Sequence, residues 1–118
     1  MGRNLHILLV ENHDDIVQFL SQYLQAGGHT VTVALSAAEA LEKVRMSRPD
    51  LLLCDIGLPD DDGWNLLGRM GADRPPVCIA MSGYGMTSDI RRSQEAGFHH
   101  HLIKPFLPGD LDALLLRV

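Results

Sequence analysis

Three short apolar runs, too unbroken for a half-exposed sheet, constrain this chain more than any other feature. Leu5 to Val10 is interrupted only by His6, Asp50 to Cys54 carries Leu51, Leu52, Leu53 and Cys54, and Val77 to Met81 is the third. A strand that faces water on one side alternates apolar and polar residues, whereas a strand covered on both faces reads as a continuous run. The runs therefore predict inner strands of a parallel sheet. His29 to Leu35 alternates, with Val31 and Val33 set among threonines, and suits a strand nearer the edge; His99 to Ile103 supplies a fifth.

Helical periodicity fills the gaps. Ile16, Val17, Leu20, Tyr23 and Leu24 form one apolar face, stopped by Gly27 and Gly28. Ser36-Ala-Ala-Glu39 has the capping-box pattern, with Leu41 and Val44 following on one face and Pro49 closing the region. Gly63 to Met70 carries Leu66, Leu67 and Met70; from Pro108 onward, Leu111, Leu114, Leu115 and Val118 make a stripe, with Asp110 near the positive N-terminus. Thr87 to Ala96 differs: Ile90 and Ala96 are nearly its only apolar residues. That composition fits a solvated helix over a small contact, and equally an element able to shift.

Five alternating strand–helix units predict an α/β fold, a doubly wound parallel sheet in the flavodoxin-like order 2-1-3-4-5 with right-handed crossovers. The 118 residues fit a single domain spanning 1–118. No apolar run approaches the roughly 18 residues that span a bilayer, and a net charge of −5 argues against nucleic-acid binding by charge alone. The N-terminus has a single Arg3 and no long apolar stretch, so it reads without a secretory signal. Cys54 and Cys78 lie inside apolar runs and read as small buried hydrophobes in a reducing compartment, which makes the cytoplasm the expected location.

In such a sheet, ligands sit beyond the carboxyl ends of the strands. The first strand leads to Glu11, Asn12, His13, Asp14 and Asp15, the third to Asp55, Ile56, Gly57, Leu58 and Pro59, the fourth to Ser82 and Gly83, the fifth to Lys104 and Pro105. With the first and third strands adjacent, Glu11, Asn12 and Asp55 converge, flanked by Ser82 and Lys104. Clustered carboxylates repel, and a hard divalent cation relieves that. A carboxylate can attack phosphorus, a metal can bridge carboxylate and phosphoryl oxygens, and a lysine and a hydroxyl can bind the remaining oxygens.

The segments Ile7-Leu-Leu-Val-Glu-Asn12, Leu52-Leu-Cys-Asp-Ile-Gly-Leu-Pro-Asp60 with Asp62-Gly63, Ala80-Met-Ser-Gly83, Ala96-Gly-Phe98 and Leu102-Ile-Lys-Pro-Phe106 together resemble the response-regulator receiver family of two-component signalling. The resemblance covers nearly the whole chain. It implies that Asp55 is the phosphoacceptor, Glu11 an acidic magnesium position, the Gly57 carbonyl a magnesium ligand, Ser82 the switch hydroxyl and Lys104 the phosphate-contacting lysine before Pro105. It implies a histidine kinase or histidine phosphotransfer domain as donor, a downstream protein partner, and no turnover of a substrate. Gly57-Leu-Pro59 and Ser82-Gly-Tyr-Gly85 are most similar to receivers of hybrid sensor histidine kinases, which implies a larger parent protein.

Two positions depart from the family pattern. Asn12 stands where a second acidic metal ligand is usual; its amide oxygen can ligate a hard cation but adds no charge, which predicts weaker magnesium binding. Asp14, two residues on, reads as the start of the first helix. His101 replaces the usual Tyr or Phe of the aromatic switch, which predicts altered coupling and a group able to titrate near neutrality.

Simpler roles compete for other residues. His99, His100 and His101 alternate across a strand and do not chelate one ion easily. Trp64 is expected over the core or the pocket rim, and Gly83-Tyr-Gly85 lacks a P-loop lysine and reads as a loop. A phosphatase of the haloacid dehalogenase type needs a second Asp where Gly57 stands. A flavodoxin-like cofactor carrier needs a Ser- and Thr-rich loop that is missing after the first strand. A degenerate receiver, acting only as a protein-binding module, is the remaining alternative, raised by Asn12.

Overall fold

The computed structural model describes residues 4–83 and 87–118. The expected Tyr84–Gly85 loop lies outside the described residues. The elements run β1 (His6–Val10), α1 (Asp14–Ala26), β2 (Thr30–Ala34), α2 (Ala37–Ser47), β3 (Leu51–Asp55), α3 (Gly63–Met70), β4 (Val77–Ser82), α4 (Thr87–Ala96), β5 (His100–Ile103) and α5 (Pro108–Leu115). A short 3-10 turn, Gly71–Asp73, extends α3 and was not expected from the sequence. All strands are parallel, in the order β2-β1-β3-β4-β5.

The apolar runs are the inner strands. Every residue of β3 is buried, and alternate residues feed opposite faces. Leu8, Val10, Leu52, Cys54, Cys78 and Ala80 join α2 and α3 on one side. Ile7, Leu9, Leu51, Leu53, Ile79 and Met81 join α1 and α5 on the other. Each fully buried leucine contributes about 1.5–3 kcal/mol, so β3 carries a large share of the apolar stabilisation. Both cysteines are free and buried, and burial pushes the Cys78 thiol up to about 11.

Side chains cap the starts of α2 and α3, where Ser36 and Asp62 accept from backbone amides. Ser36 Oγ accepts from the Glu39 amide at 3.2 Å, but Glu39 reaches back to the amide of Leu35 rather than to that of Ser36, at 3.3 Å. The α2 terminus has a further cap the sequence did not reveal. Asp60, from the loop after β3, accepts from the amides of Ala37 and Ala38 at 2.8 and 3.0 Å. These bonds hold the Asp60 carboxyl below the usual range. Asp14 opens α1, as expected, and Asp110 accepts from the Leu107 amide ahead of α5 at 3.1 Å. Among the described residues, no helix is long and apolar enough to cross a membrane.

Helix α4 is thinly anchored. Among its described side chains only Ser93 is buried, at 1% exposure, while Ile90 and Ala96 are half-buried. Its firmest attachment is therefore polar.

Candidate functional site

Three strands deliver three charged groups to one crevice. The Glu11 amide donates to the Ala34 carbonyl at 3.1 Å, continuing the β1–β2 ladder by one residue and fixing the carboxylate at the strand end. Beyond β3, Ile56 donates to the Met81 carbonyl and Gly63 donates to the Ile56 carbonyl, both at 2.8 Å. That second bond folds the start of α3 back onto Asp55. A Cβ at Gly63 would lie 2.9 Å from the Asp55 carbonyl oxygen and 3.1 Å from Ile56 Cα, so the close approach requires glycine. The Lys104 amide donates to the Ser82 carbonyl at 2.7 Å, tying β5 to β4 before a cis Lys104–Pro105 peptide.

Glu11, Asp55 and Lys104 meet as the strand order predicts. Lys104 Nζ donates to Glu11 Oε2 at 2.8 Å and lies 3.3 Å from Asp55 Oδ2. Glu11 is wholly buried and Asp55 is 5% exposed. His13 Nδ1 sits 2.6 Å from Glu11 Oε1 and 3.9 Å from Asp55 Oδ2. The sequence placed His13 at this strand end without a role; its position two residues after Glu11 was the only available signal. Burial raises the Asp55 carboxyl above its ordinary value; repulsion from Glu11 adds to this, while Lys104 and the Gly57 amide oppose it.

The carboxylate oxygens of this cluster suit a hard cation. The ligand atoms of Glu11, His13 and Asp55 lie within 4.8 Å of one another. Two buried carboxylates share one lysine, so the cluster holds one more negative side chain than Lys104 can pair. Oxygen donors of this kind match magnesium. Asn12 is exposed beside Glu11, and Gly57, whose amide donates to Asp55 Oδ1 at 3.3 Å, is exposed at the rim.

Ser82 and His101 lie on the other side of Asp55's strand. Ser82 Oγ and His101 Nε2 share a hydrogen bond at 2.7 Å, and His101 Nδ1 and Ser93 Oγ share another at 2.8 Å. The Trp64 indole donates to Ser93 Oγ at 2.9 Å, and the Arg92 guanidinium lies 4.1 Å from the centre of the indole ring. Burial lowers the His101 pKa, with Asp89 opposing. His99 instead accepts from the Cys78 amide at 3.0 Å, so the histidine run divides between separate partners.

Comparison with known proteins agrees with the geometry. The response regulator receiver domain family model matches residues 7–116. Sporulation initiation phosphotransferase F of Bacillus subtilis is 34% identical over 112 residues, covering 94% of this chain and 88% of that protein. Transcriptional regulatory protein PrrA of Mycobacterium leprae is 32% identical over 109 residues, covering 91% of this chain but 46% of PrrA, so this chain spans less than half of that relative. The crystal structure of a CheY-like response regulator receiver domain protein from Methanospirillum hungatei superposes with a TM-score of 0.88 at 32% identity, covering 96% of this chain and 91% of the other. The chain belongs to the response regulator receiver family.

Proposed function

We propose that the chain is one phosphoacceptor domain in which Asp55 takes a phosphoryl group from phosphohistidine on a partner kinase or phosphotransfer domain. The observation that carries this reading is the buried pair Glu11 and Asp55 sharing Lys104 at 2.8 and 3.3 Å. An Asp55 carboxylate oxygen attacks phosphorus in line, the phosphorus–nitrogen bond to the donor imidazole breaks, and its electron pair returns to that nitrogen. Lys104 turns from balancing two carboxylates to balancing the phosphoryl oxygens, and Ser82 donates to another of them. Glu11, Asn12, Asp55 and the Gly57 carbonyl are the residues that would hold magnesium, which supplies neutralisation of charge on the transferring group. The product stays on the protein, so the domain accepts phosphate without turning over a substrate.

The half-exposed Phe19, with Ile16, Leu20, Pro105 and Phe106, lines an apolar groove against Lys104 and supports docking of the donor beside the crevice. The added charge of about −1.5 to −2 biases the thinly anchored α4 and changes the preference for a downstream protein. The Gly57-Leu-Pro59 segment supports a hybrid sensor histidine kinase as the parent protein, acting in the cytoplasm. Incubation with a small phosphodonor and magnesium tests the reading by intact mass. The wild type gains one phosphoryl group and Asp55→Asn gains none; an unmodified wild type would leave the phosphate-independent binding module instead.

A further inference from the structure

We infer that His101 is a positioning residue for Ser82, the middle of a one-directional chain of donors running from Trp64 through Ser93 and His101 to the phosphoryl site. The inference rests on Asp55 as phosphoacceptor for its last link only; the rest stands on the unmodified protein.

The direction follows from counting protons. An indole N–H can only donate, so Ser93 Oγ accepts from Trp64 at 2.9 Å. Ser93 keeps one proton, and the facing His101 Nδ1 at 2.8 Å takes it as an acceptor. A neutral imidazole that accepts at Nδ1 carries its proton at Nε2. Nε2 then donates to Ser82 Oγ at 2.7 Å, which holds the hydroxyl oxygen in place from the β5 side. Burial of the ring, which favours the neutral form, agrees with this arrangement. Reversing the middle bond would place two donors on Ser93 Oγ and send its own proton elsewhere.

The chain has a mechanical consequence. Ser93 is the one buried side chain among those described on α4, and both of its partners lie on other elements, Trp64 on α3 and His101 on β5. A displacement of Ser82 toward a phosphoryl group pulls on His101 and so on the polar anchor of α4. A phenylalanine ring at position 101 can fill space but has no atom to take part in this chain. Trp64, the sole tryptophan, sits at its far end and reports on it.

The test uses NMR on the whole chain at neutral pH. Ring-nitrogen spectra of the unmodified protein should show His101 as the neutral Nε2–H tautomer; the Nδ1–H tautomer or an imidazolium overturns the chain. Beryllofluoride with magnesium, a stable phosphoryl mimic, should then shift the Trp64 indole N–H resonance. Ser93→Ala and His101→Phe should bind beryllofluoride, seen by fluorine NMR, yet lose that indole shift. His101→Gln, whose amide both donates and accepts, should restore much of it. An indole shift of wild-type size in Ser93→Ala or His101→Phe overturns the inference, and if either variant fails to fold the tautomer and the glutamine variant decide it. Absence of bound fluorine in the wild type would sink the Asp55 reading instead, a result distinct from a wrong tautomer.

Discussion

Lys104 Nζ donates to Glu11 Oε2 at 2.8 Å across ninety-three residues of sequence, and Glu11 has no exposed surface. The ammonium is thus a structural counter-ion to both carboxylates. Lys104→Met leaves a buried carboxylate pair without its cation. Breaking a buried pair by removing one partner costs about 3–5 kcal/mol. His13 also faces Glu11, so a loss toward the lower end is expected in urea unfolding of the metal-free protein, and magnesium should recover part of it.

Asp55→Asn should raise stability at neutral pH while abolishing phosphorylation. The Asp55 pKa is raised on folding by burial and by Glu11. A raised carboxyl favours the folded state at low pH, and that advantage is lost as the pH climbs from the ordinary carboxylate range through the folded value. At neutrality the charged form is therefore a liability, which the amide removes. A higher denaturant midpoint is expected, with a flatter pH profile than wild type.

Asn12→Asp should tighten magnesium binding. The added carboxylate stands beside Glu11 at the open end of β1. A further anionic oxygen raises affinity by roughly tenfold, and the metal-free protein loses stability from the extra repulsion. Calorimetric titration measures the first effect and thermal melting without magnesium the second. Equal magnesium affinity in the two proteins would show that position 12 takes no part.

Acidification should weaken the fold through the β5 histidines. Burial lowers both His100 and His101 from the ordinary value of 6.5. A lowered histidine stabilises the folded state above its unfolded pKa, and that contribution is lost as the pH falls through 6.5 and on through the folded value. Urea midpoints taken downward from neutrality should fall, and His101→Gln should reduce the slope.

Gly63→Ala should disturb the loop after β3 from outside the charged cluster. Its Cβ would press on the Asp55 carbonyl oxygen and Ile56 Cα, both backbone atoms with little room to yield. A cost of about 1–3 kcal/mol in unfolding is expected, together with slower phosphorylation from a small donor.

The sequence disclosed the inner strands because burial on both faces forces continuous apolar residues, as at Leu51 to Cys54. It disclosed the meeting of Glu11, Asp55 and Lys104 because strand ends in a parallel sheet converge by topology. Other features depend on where side chains point after packing. Ser93 reads as one more polar residue of a solvated helix, and only α3 and β5 reveal it as an anchor. Asp60 caps a helix start that precedes it by 23 residues, and no local pattern announces that. His13 was in view, but its bond to Glu11 required the turn into α1.

The sheet also acts as a partition. Side chains of β1, β3 and β4 alternate strictly between a compartment shared with α2 and α3 and another shared with α1 and α5. Substitutions in separate compartments share few partners, and distant, independent changes add in their effects. The surface offered by α1 and α5 can therefore drift toward new associates while the Trp64–Ser93–His101 side stays intact. Asp55, at the end of the central strand, is where the two otherwise insulated histories must agree.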